Sequence, residues 1–308
     1  MFPMGSNLTN KPNSFLIKTI LFTGLALIAF AANSVLCRLA LGESAIDAST
    51  FTIVRLLAGA IVLTVIMSIS KIKSNSNTNS STKGSWPASI ALFIYALTFS
   101  FAYVTLDTAT GALILFGSVQ IAMILMSIFS GNRLHISEWF GMAIAFTGFV
   151  YLILPGVTTP SVIGFLLMTV SGIAWGIYTL KGRGSKNPIM DTAFNFLRTM
   201  PFVIILAIVT FKYAHYSSEG ILLAVLSGSI ASGIGYMIWY SALSGLSVTQ
   251  AAVLQLLVPV IAAVGGIIFV SESISFRLTV SSAMILGGIL MVVLGRYYYL
   301  KLQTVGKT

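Results

Sequence analysis

Residues 106–154 read LDTATGALILFGSVQIAMILMSIFSGNRLHISEWFGMAIAFTGFVYLIL, and residues 246–294 read LSVTQAAVLQLLVPVIAAVGGIIFVSESISFRLTVSSAMILGGILMVVL. A shift of 140 lays one on the other without a gap. Leu106, Ala112, Ala122, Ile128, Phe129, Ala143, Gly148 and Leu154 then meet Leu246, Ala252, Ala262, Ile268, Phe269, Ala283, Gly288 and Leu294. Upstream the shift becomes 143, where Phe51 and Arg55 meet Phe194 and Arg198, and Arg38 meets Lys181. Apolar stretches share letters by chance, but paired arginines inside apolar runs call for a common origin. Both copies consist of runs fit to cross a bilayer. The chain therefore reads as a duplicated bundle of spans, a common transporter architecture.

Composition agrees. Of 308 residues, 8% are charged and 57% apolar, with a mean hydropathy of +0.98. Soluble domains are nearer a quarter charged, so the lipid bilayer is the expected surrounding. Spans of about 20 residues each consume almost the whole length and leave no room for a separate soluble domain. The single Cys37 rules out an intrachain disulfide framework, and no Cys/His spacing suggests a metal. The net charge of +10 would suit nucleic acid, but the cations are scattered in short loops, so no nucleic-acid partner is expected.

Apolar runs and breakers predict helices at 18–38, 47–69, 86–105, 109–130, 136–154, 161–181, 190–211, 220–242, 247–269 and 276–297. The polar Lys71–Ser85 stretch is a loop, and Trp86-Pro87 suits a helix start. Pro155-Gly156 and Pro160 divide the halves, giving repeats at 1–156 and 157–308. A cleaved signal peptide is the alternative for the first span, since Lys11 and Lys18 precede it. Against that, the apolar run outlasts a normal signal core and has a counterpart in span six.

With the N-terminus inside, cytoplasmic segments hold Lys11, Lys18, Lys71, Lys73, Lys83, Arg133, Lys181, Arg183, Lys186, Arg296, Lys301 and Lys307. Outer segments hold Arg38, Lys212 and Arg277. This bias predicts a multi-pass protein with both termini cytoplasmic. Trp86, Trp139 and the Tyr297-Tyr298-Tyr299 run fall at span ends as interfacial anchors. Five spans per half is odd, so the second copy enters the membrane upside down. The fold class expected is all-α, ten transmembrane helices as two inverted five-helix repeats.

Several stretches resemble the EamA family of the drug/metabolite transporter superfamily. Phe51-x3-Arg55-Leu56-Leu57-Ala58 is similar to its Arg-bearing second helix, and Ala174-Trp175-Gly176-Ile177-Tyr178 to the opening of its second repeat. Tyr240-x-Ala242-Leu243, Ala251-Ala252-x3-Leu256-x2-Pro259-Val260, Ser271-Glu272 and Gly287-Gly288 resemble its signature. The first copy departs from that signature, with Val119 at the proline position, Asn132 at the glutamate position and Ala32-Asn33 for the usual Trp-Gly. The resemblance implies ten helices, a central cavity lined by helices three, four, eight and nine, and movement of small metabolites. It implies no particular substrate.

Polar groups at membrane depth are costly and each needs a reason. Arg55 and Arg198 either attract an anionic group such as a carboxylate, anchor a gate, or pair with helix-end carbonyls and fix packing. Gln120 and Gln255 lie mid-span, where an amide recognises substrate or joins helices; Asn33 is read in the same way. Pro259 is expected to kink span nine. Tyr95, Phe99 and Tyr103 repeat every four residues on span three; Trp175 with Tyr178, and Tyr236, Trp239 and Tyr240, give spans six and eight aromatic sides. These stripes serve either as core or as cavity wall. An aromatic wall with amides suits an amphipathic small-molecule substrate. Gly141-x3-Ala145, Ser229-x3-Gly233 and Ala283-x3-Gly287 are expected to let helices approach.

No acid lies deep in a span, which disfavours a buried carboxylate as proton relay. No catalytic residue, metal or cofactor is expected: His135 and His215 fall in loops, and His-Glu-x-x-His is absent. A channel would want a continuous polar stripe. The leading reading is a bacterial inner-membrane carrier exporting an amino acid by alternating access. Uptake of a nucleotide-like metabolite is the rival. The sequence sets no oligomeric state.

Overall fold

The computed structural model describes residues 11–73, 83–129, 136–154, 160–182, 185–246 and 248–305. They form helices α1 (Lys11–Gly42), α2 (Ala48–Lys73), α3 (Trp86–Tyr103), α4 (Thr108–Phe129), α5 (Ile136–Ile153), α6 (Val162–Gly182) and α7 (Pro188–Thr210). After a short turn come α8 (Ser218–Leu226), α9 (Gly235–Leu243), α10 (Val248–Gln255), α11 (Val258–Val270) and α12 (Phe276–Val305). A π-helical segment, Ser227–Ile234, joins α8 to α9. Ten candidate spans result, as the apolar runs predict. The largest departures in length are at the chain's two ends, where α1 and α12 extend beyond 18–38 and 276–297. Polar flanks stay helical because a helix already satisfies their backbone groups.

Local chemistry sets the boundaries. Asp47 caps α2 by accepting from the Ser49 and Thr50 amides at 3.0 Å. Ser85 caps α3 through Ala88, with Pro87 in the first turn. Asn187 and Ser217 cap α7 and α8. Each such cap contributes about 1 kcal/mol.

The outer surface is apolar: Phe211 is 81% and Ile163 71% exposed, as lipid contact requires. Between helices in lipid there is no hydrophobic drive, so close packing must hold the bundle together. The fifth span of each half, α5 and α12, pair with one another. A Cβ on Gly141 would lie 2.5 Å from the Gly288 carbonyl, and the reverse holds for Gly288 and Gly141. The expected Ala283-x3-Gly287 contact is corrected here: Gly287 faces open space, and its neighbour Gly288 makes the approach. Elsewhere α2 packs on α7, α4 on α11, α3 on α6, α1 on α9, α4 on α6, α1 on α11, α2 on the π segment and α3 on α7. Exchanging the first five spans with the second five maps these pairings onto themselves.

Trp86 and Trp139 stand 51% and 57% exposed in the first turns of α3 and α5, where interfacial anchors belong. The side chains of Tyr297, Tyr298 and Tyr299 lie outside the described ones, as do His135 and Asn132.

Candidate functional site

A buried polar knot occupies the middle of the bundle. Tyr95 lies midway along α3, and its hydroxyl accepts from the Asn33 amide (3.2 Å), Arg55 Nη2 (3.0 Å) and the Tyr236 hydroxyl (3.0 Å). Arg55 Nη2 also reaches the Tyr236 oxygen at 2.9 Å, and its Nε donates to Ser232 Oγ at 3.0 Å. Ser227 donates to Asn33 Oδ1 at 2.6 Å. Four helical elements (α1, α2, α3 and the π segment with α9) thus converge on one network.

The π segment makes this convergence. Its sequence, SGSIASGI, is almost all small, so a wide turn forms without side-chain crowding. Such π turns are frequent at functional sites. Here it carries both Ser227 and Ser232. A Cβ on Gly228 would meet the Arg55 carbonyl, and one on Gly59 would lie 2.9 Å from the Gly228 carbonyl. Glycine at both positions lets the backbones of α2 and span eight touch.

Aromatic rings sheathe the knot. Trp175 lies 4.9 Å from Tyr95 and 4.6 Å from Tyr236, centroid to centroid. Phe30 sits among Trp175, Tyr236 and Trp239 at 5.4, 5.9 and 5.6 Å. Tyr178 stacks on Tyr240 at 5.4 Å. The guanidinium of Arg55 lies over the Tyr95 and Phe99 rings at 5.2 and 4.8 Å, contacts worth about 0.5–2 kcal/mol each. Ser171 pins α6 to α3 by donating to the Tyr95 carbonyl at 3.1 Å.

Tyr95, Phe99, Trp175, Tyr178, Tyr236 and Trp239 are all buried, packed on one another in this structure. The rings meet one another at edge-to-face and tilted geometries, which are favourable in themselves. Several polar atoms in this region have no partner: Arg55 Nη1 and the indole nitrogens of Trp175 and Trp239.

Other residues singled out from the sequence fall elsewhere. Tyr103 belongs to the α3–α4 turn, where its hydroxyl donates to the Thr108 carbonyl at 3.3 Å. Arg198, paired with Arg55 in the sequence frame, instead donates to the Lys83 carbonyl and lies over Trp86 and Phe194. Tyr95 and Tyr236 differ by 141, between the shifts of 143 and 140, and they meet hydroxyl to hydroxyl. Of the two arginines, Arg55 alone enters this knot. A second beside it would add like-charge repulsion in a poorly solvated place. Gln120 is buried in α4. Gln255 ends α10, donating to the Ala251 carbonyl at 3.3 Å while its Oε1 lacks a donor. The kink expected at Pro259 is present as a tight turn at Leu256–Leu257, with Leu257 still at helical dihedrals; Pro259, in the first turn of α11, supplies no N–H for the Gln255 carbonyl one turn earlier.

Each end of the bundle carries its own polar closure, neither legible as a site from sequence. At one end both carboxylate oxygens of Glu272 accept from the Thr108 amide at 3.0 and 2.9 Å, capping α4. Arg38 Nε donates to Glu272 at 3.1 Å, and Arg38 also reaches the Tyr103 carbonyl and Asp107. Ser271, left-handed at φ 56°, turns the chain so that Glu272 faces inward. A polar cavity of about 290 Å³ adjoins, lined in part by Thr105, Thr110, Ser161 and Glu272. In the turn before α2, Asp47 accepts from the His215 amide at 2.9 Å. Burial opposes ionisation of Asp47, but hydrogen bonds from Thr50, His215 and Ser49 outweigh it and hold its carboxyl below the usual range.

At the opposite end Asp191 accepts from the Gly84 amide at 2.9 Å and from Ser185, and Asn195 accepts from the Ser85 amide at 2.9 Å. Tyr240 donates to the Tyr178 carbonyl at 3.1 Å. The acid opening α2 thus holds the loop before α8, and the acid opening α7 holds the loop before α3.

Comparison with known proteins places this geometry. The EamA-like transporter family profile matches residues 162–294. An uncharacterized protein of Pseudomonas aeruginosa is 43% identical over 279 residues, spanning 91% of this chain and 96% of its own. An uncharacterized transporter of Archaeoglobus fulgidus is 31% identical over 180 residues, covering 56% of this chain and 62% of its own length. A second from that organism is 25% identical over 214 residues, 65% and 73%. A protein of known crystal structure shares the fold at a TM-score of 0.59 and 18% identity, covering 88% of this chain and 96% of that one. This multi-pass membrane protein belongs to the EamA-like transporter family.

Proposed function

We propose that the protein is a bacterial inner-membrane carrier that moves a small organic metabolite by alternating access, with amino acid export the leading assignment. The observation that carries this is the central knot: buried, polar, ringed by aromatics and assembled from both halves of the chain. Two separate closures, Glu272–Arg38–Thr108 at one end and Asp191–Gly84 with Asn195–Ser85 at the other, are what a two-sided carrier needs. The proposed repeats, 1–156 and 157–308, are supported by the exchange symmetry of the helix pairings and by the meeting of Tyr95 with Tyr236. Inverted repeats let one fold face either side by exchanging the conformations of its halves. The broken span nine, with Gln255 at the break, is also a usual feature of such carriers. Lysine and arginine bias supports cytoplasmic termini, which puts the Glu272 closure outside.

In this reading Asn33, Arg55, Tyr95, Phe99, Trp175, Tyr178, Tyr236 and Trp239 contact substrate, with Gln120 and Gln255 alongside. Tyr103 and Arg198 serve the ends. The test is efflux from liposomes preloaded with labelled amino acids and nucleosides, with and without unlabelled solute outside. Saturable flux of one class, accelerated from the far side and weakened by Tyr95→Ala and Gln255→Ala, is expected. Flux linear in concentration would mean a channel, and nucleoside-selective flux would replace the amino acid assignment.

A further inference from the structure

Arg55 is 1% exposed, yet every partner it has is neutral. Its bonds go to Ser232, Tyr95 and Tyr236, and its ring contacts to Tyr95 and Phe99. The chain's seven acids are all placed elsewhere. Asp107 and Glu272 meet Arg38; Asp47 and Asp191 hold loops. Glu138 lies in the first turn of α5, Glu219 in that of α8, and Glu43 follows α1. A guanidinium stays charged at any accessible pH. A buried charge without a counter-ion is expensive, and proteins retain one where a partner arrives to meet it. One of its donors is also idle, since Nη1 has no acceptor.

We propose that the missing partner is the solute: the transported molecule carries a carboxylate that binds Arg55 through Nη1, and the site selects for that negative charge. This rests on the carrier reading and names its substrate class. The indole N–H groups of Trp175 and Trp239, buried in the same aromatic nest without acceptors, suit an oxygen-rich ligand end as well. No acid in the knot answers an ammonium, so an α-amino group is dispensable while the carboxylate is not. Arg198 takes no part, because its guanidinium is already engaged with the Lys83 carbonyl at the bundle end.

The test uses four molecules on one skeleton: 3-phenylpropionate, phenylalanine, phenylalaninamide and phenethylamine. Binding to the purified full-length protein is read by tryptophan fluorescence and thermal shift, and exchange by counterflow in liposomes. The two carboxylates are expected to bind roughly tenfold or more tightly than the amide and amine, the factor associated with a charged hydrogen bond. Arg55→Gln should remove that preference and Arg55→Lys restore part of it, with Arg198→Gln unchanged. Equal binding of amide, amine and acid by the native protein overturns the proposal, as does the absence of binding by either carboxylate. Carboxylate-selective binding without exchange would sink the carrier reading and leave the anion site standing. Exchange without charge preference would do the reverse.

Discussion

Replacing Glu272 by glutamine keeps the side chain's shape and removes its charge. Three interactions weaken together. The ion pair to Arg38, whose side chains are 20% and 12% exposed, is partly screened, so about 1 kcal/mol is lost. The negative charge at the N-terminus of α4 accounts for about 0.5 kcal/mol more. The charge-assisted bond that the single Thr108 N–H shares between both oxygens becomes a neutral one, at a further cost of about 1 kcal/mol. A total of about 2–3 kcal/mol should raise the open population at this end roughly 30- to 150-fold, while closure is still dominant. The chain supplies its own reporter, because Cys37 is buried on α1 next to Arg38. Maleimide modification of Cys37 in detergent should accelerate by a factor within that range in Glu272→Gln. A rate within threefold of the native protein, with unchanged elution and helicity, would refute the idea that Glu272 holds this end shut.

Tyr95→Phe removes the acceptor shared by Arg55, Asn33 and Tyr236, and should cost about 1–3 kcal/mol in unfolding free energy, visible as a lower melting temperature in detergent. Gly228→Ala drives a methyl against the Arg55 carbonyl and should cost about 1–3 kcal/mol. Gly287→Ala, with nothing within 4 Å, should instead raise stability by up to about 1 kcal/mol through helix propensity; equal effects at the two glycines would contradict the packing described. Asp47 has a lowered folded pKa, so its contribution is full above its unfolded value of about 4 and is lost as pH falls through the folded value. Thermal stability should therefore decline in acid, with a shallower slope in Asp47→Asn.

The ten spans were legible because apolar runs in this chain are cut by Pro, Gly and short polar turns. The Arg55–Arg198 pairing was visible too, but their different fates were not, since a repeat frame gives position along a helix and not which face meets which neighbour. Tyr95 and Tyr236 were each chosen for the site, yet their meeting falls between the two shifts and escaped the alignment. The SGSIASGI run looked like packing residues because nothing in a sequence distinguishes a π turn from an α turn. The kink at Pro259 was legible because a proline always interrupts the turn before it; that the interruption divides α10 from α11 was not. Glu272 was legible as part of the Ser271-Glu272 signature, but its partners Arg38 and Thr108 lie 234 and 164 residues away and nothing in the local sequence points to them.

Alternating access requires that opening one end close the other. Cys37 reports the Glu272 end, and Thr179→Cys in a Cys37→Ser background reports the opposite end of α6, four residues beyond Trp175. Maleimide rates at both positions, with and without Glu272→Gln, test this most directly. The account predicts that the substitution speeds modification of Cys37 and slows that of Thr179→Cys. If both rates rise together, the bundle opens as a pore through its centre, and the carrier account is wrong.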